Sequence, residues 1–153
     1  KKGDELIKIV VVGAGGRMGK TIVLCIESTK GMTITGGTEY PDHPAIGSDI
    51  GELAGIGKKG IAVTKNIEDA LASCDVIIDF TTPESTMNTF RKVLRLRKPI
   101  IIGTTGFSPK EKKEDEETKD EKKSLTEKQF PFRLRLLDLK TNNPIEIKDR
   151  LKR

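Results

Sequence analysis

The chain has 153 residues, enough for one domain with a hydrophobic core, and its composition is 33% charged and 35% hydrophobic. So high a charged fraction predicts that part of the chain lies outside the core. The formal net charge is +5, but residues 124–153 alone carry eight basic and four acidic groups. The basic excess is therefore mostly a property of the tail, and we predict no nucleic-acid partner. No apolar run approaches the roughly 20 residues of a membrane span, so we predict no membrane partner either.

The two cysteines, Cys25 and Cys74, have no partners at the spacing of metal ligands. We predict that both are small buried apolar residues and that the chain has no metal site. The first residues, KKGDELIK, contain no apolar segment typical of a secretory signal. The expected location is therefore cytoplasmic.

A glycine-rich turn follows the first predicted strand. The β-branched run from Ile7 to Val12, interrupted only by Lys8, predicts a strand buried on both faces, and it stops at the sequence GAGGRMG. Gly13 would allow a tight turn, Gly15 and Gly16 would let a pyrophosphate approach the backbone, and Gly19 would let the next helix pack closely. The N-terminus of that helix would attract phosphate groups. This is typical of a dinucleotide-binding site.

An ordinary strand-to-helix turn is the alternative, because Met18 stands where the common fingerprint has its third glycine. The sequence after the turn predicts a helix from Arg17 to Lys30 and a second strand from Met32 to Thr38. One apolar stripe of the helix would face the sheet: Met18, Ile22, Val23 and Ile26.

Glu39 ends this predicted β-α-β unit, about twenty residues beyond the last glycine of the turn, where dinucleotide folds use an acid to bind the adenosine ribose. The alternative is a solvated loop acid. Tyr40 follows, where an Arg would pair with the 2′-phosphate of NADPH, so the sequence favours NADH, although Arg17 could still reach a phosphate. Residues 41–60 predict an irregular loop, and His43 within it is interpreted as a surface residue.

Strands and helices alternate through the rest of the first 109 residues. A short strand is predicted over residues 61–64 and a helix capped by Asn66 follows it. The remaining elements are a strand over 75–80, a helix over 83–96 and a strand over 99–103. This alternation predicts a Rossmann-like, doubly wound, mostly parallel sheet, in which ligands bind at the carboxyl ends of the strands.

The tail differs in composition from the rest of the chain. Thirteen of the fourteen residues from Lys110 to Lys123 are charged, which predicts disorder. Residues 124–153 have no clear helical stripe, although the run FPFRLRLLDL could form an edge strand or a short docking helix. We therefore divide the chain into a nucleotide-binding domain over 1–109, a charged linker over 110–123 and a divergent tail over 124–153.

Five motifs occur in register: GAGGRMG, the acid Glu39, GSDIGELAG, DFTTPEST and IIIGTTGF. Together they resemble the N-terminal domain of bacterial 4-hydroxy-tetrahydrodipicolinate reductases over roughly residues 6–109. The resemblance implies NAD(P)H-dependent hydride transfer to a cyclic dicarboxylate in lysine and diaminopimelate biosynthesis. It implies a pyrophosphate at the turn, an adenosine ribose at Glu39, and a nicotinamide bordered by Gly103, Thr104 and Thr105. The implied cofactor-binding residues are Gly13, Ala14, Gly15, Gly16, Arg17, Met18, Glu39, Tyr40, Phe80, Gly103, Thr104 and Thr105.

The family's substrate domain carries a His-His-x-x-x-Lys-x-Asp-Ala-Pro-Ser-Gly-Thr segment and an Asn-Phe-Ser hinge, and neither occurs in this sequence. We therefore assign no catalytic residue and expect this truncated chain to be inactive on its own. The resemblance implies that the family forms homo-oligomers, with the assembly surface expected on that domain, and it gives no oligomeric state for this chain. The alternatives are a stand-alone dinucleotide-binding or regulatory module, the cofactor domain of another dehydrogenase, and an interaction protein with a decayed nucleotide site.

Overall fold

The computed structural model describes residues 6–72 and 74–110 and two short strands at 137–138 and 143–144. Four parallel strands form one sheet in the order β2-β1-β3-β4, which confirms the predicted Rossmann-like fold. In chain order the elements are β1 (Ile7–Val12), α1 (Arg17–Ser28), β2 (Met32–Thr38), α2 (Ile50–Leu53), α3 (Ile67–Leu71), β3 (Val76–Asp79), α4 (Pro83–Arg95), β4 (Ile100–Ile102), β5 (Leu137–Asp138) and β6 (Asn143–Pro144).

β1 lies inside the sheet, and its alternating side chains enter two separate hydrophobic clusters. Val10 packs in a cluster with residues of α3 and α4, among them Phe90. Val11 packs on the opposite face in a cluster with residues of α1 and α2, among them Val23. Both valines are completely buried, which explains why residues 9–12 are all apolar rather than alternating. Ile7 and Lys8 are exposed, so only residues 9–12 have the predicted burial.

Helix α1 differs from its prediction in length and in the face that it buries. It ends at Ser28, and the N–H of Thr29 donates to the carbonyl of Ile26. Val23 and Ile26 are buried as predicted, but Met18 is 50% exposed because it lies in the first turn, at the rim of the sheet. Cys25 is also exposed, so its predicted burial is wrong, whereas Cys74 is buried.

The segment between β2 and α3 contains more structure than its composition predicts. The short helix α2 interrupts the predicted irregular loop. The strand predicted over residues 61–64 does not form, because Ala62 pairs with Asp49 in an antiparallel bridge and Thr64 pairs with Thr38 in a parallel one. Single bridges in opposite directions fold this segment back over the end of β2.

The Asp49 carboxylate holds the segment together. It accepts hydrogen bonds from the N–H groups of Gly51 (2.9 Å) and Glu52 (3.2 Å) at the start of α2, as a helix cap does. It also accepts from Lys59 (2.9 Å), Gly60 (2.6 Å) and Ile61 across the loop. The Lys59 N–H, with the other backbone donors, lowers the pKa of Asp49 from 3.8 to about 2.

Strands β5 and β6 form a separate antiparallel pair of two residues each. The rest of the predicted charged linker and divergent tail, from residue 111 onward, lies outside the described residues. No helix in the described ranges is long and apolar enough to cross a membrane. Those ranges also contain no group of three His, Cys, Asp or Glu residues arranged to hold a metal ion.

We predict that protonation of Asp49 loosens the segment after β2. The folded-state pKa lies below the ordinary value of 3.8, so the stabilisation is complete above that pH and is lost as the pH falls towards 2. Unfolding temperatures measured across this range should fall less steeply for Asp49→Asn than for the wild type. Asp42→Asn, an exposed control in the same segment, should follow the wild-type curve, and identical curves for all three proteins would contradict the prediction.

Candidate nucleotide-binding site

Polar and glycine residues from all the strands of the main sheet meet at its carboxyl edge. In the sheet register Val12 is paired with Asp79, and Asp79 with Ile102, so the residues that follow them are neighbours. The N–H of Gly103 donates to the carbonyl of Asp79 at 2.8 Å. A Cβ added to Gly13 would lie 2.7 Å from the Thr81 methyl carbon. The glycine turn is thus packed directly against the end of β3.

The end of β2 fixes the shape of the glycine turn. The N–H groups of Gly13 (2.8 Å) and Ala14 (3.1 Å) both donate to the carbonyl of Thr38. The next N–H, of Gly15, donates to Oε1 of Glu39 at 2.9 Å. The turn then closes through a 3.1 Å hydrogen bond from Gly16 N–H to the carbonyl of Gly13. Four successive N–H groups of the turn are therefore bound within the protein.

The glycines of the turn serve different purposes. Gly13 has φ +80°, in the left-handed region, as a tight turn requires. A Cβ on Gly19 would overlap the carbonyl of Gly13, so its lack of a side chain allows α1 to pack against the turn. Gly15 differs from its prediction: a Cβ there would lie 2.5 Å from the His43 ring and 2.7 Å from Ala45. Its space is occupied by the protein, whereas the nearest atom to a Cβ on Gly16 is 3.4 Å away.

Helix α1 begins beside this turn without a cap. Gly16 occupies the N-cap position and provides no side-chain hydrogen bond, and the first turn contains no acidic residue. Among the described residues, the N–H groups of Arg17, Met18 and Gly19 donate no backbone hydrogen bond. Free N–H groups and the positive end of the helix dipole make this a favourable place for an anion.

Glu39 is held against the turn rather than solvated. Its side chain is only 7% exposed, Oε1 accepts the Gly15 N–H, and Oε2 accepts the Tyr40 N–H at 3.3 Å. His43 Nε2 lies 3.9 Å from Oε1. A carboxylate oxygen can accept more than one hydrogen bond, so acceptor capacity remains for further donors.

His43 is not a surface residue, contrary to the sequence interpretation. Its side chain is 19% exposed and packs over Gly15, while its Nδ1 accepts the N–H of Ala45 at 3.0 Å. The ring of Tyr40 lies edge-on to the imidazole, with 4.9 Å between ring centroids, and Tyr40 itself is exposed. No local sequence signal identifies His43, because its position depends on how the segment after β2 folds back.

The ends of β3 and β4 form the second part of the site. The ring of Phe80 packs on Gly103 so closely that a Cβ at Gly103 would overlap the ring. Thr104 is half-buried and accepts the N–H of Thr81 at 3.0 Å, while Thr105 is exposed. Phe80, Gly103 and Thr104 thus lie together at the ends of β3 and β4.

Asp79 is a buried carboxyl group at this end of β3 that sequence reasoning did not single out. Its Oδ1 accepts hydrogen bonds from the hydroxyls of Thr81 (2.7 Å) and Thr86 (3.1 Å) and from the Thr81 N–H (3.1 Å). Its Oδ2 is buried without a partner among the described residues. Burial raises the pKa of Asp79, and the hydroxyl donors oppose that rise. An acid at the end of an apolar strand is a signal for such a cluster, because a buried carboxyl needs partners.

The predicted cofactor-binding residues therefore occupy one continuous edge. Those from Gly13 to Met18 lie beside Glu39 and Tyr40, and Thr81 joins them to the group around Phe80 and Thr104. The side chain of Ala14 is completely buried, which leaves only its backbone at this edge.

A sequence model of the family described as "Dihydrodipicolinate reductase, N-terminus" matches residues 7–130. The chain belongs to this family. The 4-hydroxy-tetrahydrodipicolinate reductases of Syntrophus aciditrophicus and Trichlorobacter lovleyi are 44% identical to it over 106 residues and 42% identical over 107. These alignments cover 69% and 70% of the chain but 40% of each relative. The chain thus spans about 40% of the length of the curated relatives that it matches.

Two solved structures have a similar fold. The dipicolinate-bound dihydrodipicolinate reductase from Paenisporosarcina is 25% identical, with a TM-score of 0.54 over 71% of this chain and 41% of that one. An aspartate semialdehyde dehydrogenase from Candida albicans, solved with NADP, has the same TM-score of 0.54 at 15% identity over 65% of this chain and 30% of that one. The latter likeness concerns the fold alone.

We predict that Gly19→Ala is strongly destabilising, whereas Gly16→Ala is tolerated by the fold. The added methyl at Gly19 meets a backbone carbonyl that cannot rotate away, and the cost should be about 3 kcal/mol or more. At Gly16 the φ of −77° suits alanine and the nearest atom is at contact distance, so the cost should be no more than about 1 kcal/mol. Urea unfolding of both variants measures the difference, and equal stabilities would contradict this account of the turn.

Proposed function

We propose that the carboxyl edge of the sheet binds a nicotinamide dinucleotide, as the cofactor domain of a 4-hydroxy-tetrahydrodipicolinate reductase. The observation that carries the proposal is the uncapped start of α1 beside a nearly buried acid, Glu39, that is bonded to the same turn. An anion suits the first feature and a ribose suits the second. A dinucleotide supplies both groups.

The pyrophosphate would bind to the start of α1 rather than to the glycine N–H groups. The N–H groups from Gly13 to Gly16 already donate within the protein, which leaves those of Arg17, Met18 and Gly19. The open face of Gly16 allows a phosphate to approach them, and the exposed Arg17 side chain supplies a positive charge. These features fit a diphosphate group.

The adenosine ribose would donate its hydroxyl hydrogen bonds to the remaining acceptor positions of Glu39. A 2′-phosphate there would bring a second negative charge against a carboxylate that is only 7% exposed, and Tyr40 provides no positive charge to offset it. We therefore propose that NADH is preferred over NADPH. His43, packed on Gly15 and 3.9 Å from Glu39, would help to hold the acid in place.

The nicotinamide would lie in the groove at the ends of β3 and β4. Phe80, fixed by its packing on Gly103, offers an apolar surface for one face of the ring. Thr104 and Thr105 offer hydroxyl and backbone groups at the rim of the groove. The contribution of these residues to catalysis would be orientation of the reactive ring.

For the whole protein we propose the activity of the curated relatives. The chemistry that the reduced cofactor supplies is a hydride for an unsaturated cyclic dicarboxylate, and this chain's residues hold and orient that cofactor. Because the chain spans about 40% of those relatives, a second candidate is a dinucleotide-binding or regulatory module without catalysis.

A steady-state assay tests whether this chain has the reductase activity by itself. We expect the purified chain to bind NADH without measurable turnover of the pathway substrate, since it lacks the family's His-His segment. A relative of full length serves as the positive control. Turnover above background by this chain would contradict the absence of catalytic groups and favour the reductase over the binding module.

Stabilisation by the cofactor gives a second test. NADH at about 100 times its Kd should stabilise the folded chain by about 2.7 kcal/mol and raise its Tm by several degrees.

Cofactor preference gives a third test. Tyr40→Arg should increase the affinity for NADPH relative to NADH by about tenfold or more, through a charge-assisted contact to the 2′-phosphate. Tyr40→Gln is the uncharged control and should leave the ratio near that of the wild type. No Tm shift at millimolar NADH would refute cofactor binding, and an unchanged ratio in Tyr40→Arg would refute this location of the ribose.

A further inference from the structure

A hydrogen-bonded group of one carboxyl and three hydroxyls joins three segments at the nicotinamide end of the proposed site. Asp79 ends β3, Thr81 follows it, Thr86 lies in α4 and Thr104 follows β4. Asp79 and Thr86 are completely buried. The Thr86 hydroxyl lies 3.1 Å from Asp79 Oδ1 and 2.7 Å from the Thr104 hydroxyl. The Thr104 hydroxyl also lies 3.5 Å from Asp79 Oδ1. Thr86 therefore provides the shorter contacts between the carboxyl and Thr104.

The number of protons restricts how these hydroxyls are oriented. Each threonine hydroxyl has one proton, and an ionised carboxylate can only accept. If Thr86 donates to Asp79, then the 2.7 Å contact between Thr86 and Thr104 requires Thr104 to donate to Thr86. If Thr86 instead donates to Thr104, then the Thr104 proton is directed to Asp79 Oδ1 at 3.5 Å. The Thr104 oxygen also accepts the Thr81 N–H at 3.0 Å. In the first arrangement one lone pair of the Thr104 hydroxyl remains, so Thr104 can offer a ligand only an acceptor.

We propose that Asp79 is a positioning residue that, through Thr86, fixes the Thr104 hydroxyl as a hydrogen-bond acceptor for the carboxamide NH₂ group of the nicotinamide. The inference rests on the proposed function, because it assumes that the nicotinamide lies at Thr104. In this proposal Asp79, the first residue of the DFTTPEST motif, orients the nicotinamide ring without contacting the cofactor. Asp79→Asn retains an acceptor oxygen at this position, whereas Asp79→Ala does not. The two substitutions should therefore have different effects on NADH affinity.

The test compares NADH with ADP-ribose, which lacks the nicotinamide, by titration calorimetry on the full chain. Thr86→Val and Thr104→Val preserve side-chain shape and should lower the ratio of NADH to ADP-ribose affinity by about three- to tenfold, the value of one hydrogen bond. Asp79→Ala should lower the ratio similarly, and Asp79→Asn should restore it. ADP-ribose affinity should stay within about twofold of the wild-type value in all four variants.

The matched control is Thr89→Val, which makes the same change at a buried position of the same helix, outside the cluster. It should leave both affinities unchanged. The inference is overturned if the threonine variants keep the wild-type ratio, or if ADP-ribose affinity falls in parallel with that for NADH, as a general loss of structure would cause. A wild type that binds both ligands equally well refutes the inference but not nucleotide binding, whereas a wild type that binds neither refutes the proposed function as well.

Discussion

The attachment of the glycine turn to the end of β2 is the constraint on which the proposed site depends. Thr38 and Glu39 bind three successive N–H groups of the turn, those of Gly13, Ala14 and Gly15. Because these donors are used internally, the turn is rigid and its remaining donors are those at the start of α1. The acid of the family fingerprint thus has a structural role before any ligand binds. Its removal should disturb the turn as well as the proposed ribose contact.

A second polar centre organises the other half of the edge. Asp79 joins the turn after β3 to the start of α4, and through Thr86 it reaches the segment after β4. The two centres meet where Gly13 packs on Thr81. All of this rests on the parallel register of β1, β3 and β4, which brings their carboxyl ends side by side. This arrangement places the residues proposed to bind the two ends of the dinucleotide on a single edge.

The sequence predicts the sheet and the turn well because their signals are local. A continuous apolar strand followed by glycines needs no tertiary information to be interpreted, and Glu39 lies at a fixed distance from them. His43 was misjudged because its burial depends on bridges between segments that are distant in sequence. Cys25 was misjudged because a residue near the edge of a helical stripe can face either way. The sequence does not reveal the hydrogen-bonded group around Asp79, because its other members, Thr81, Thr86 and Thr104, come with it from three separate segments.

The central claim is that one edge of the sheet holds a nicotinamide dinucleotide, and backbone amide NMR spectra recorded during an NADH titration test it most directly. The account predicts the largest shift changes at Arg17 and Met18, at Glu39 and Tyr40, and at Thr104. Little change is expected at the opposite ends of the strands, for example at Ile7 and Met32, which are paired in the sheet. Changes concentrated at those opposite ends, or no saturable change at millimolar NADH, would contradict the account.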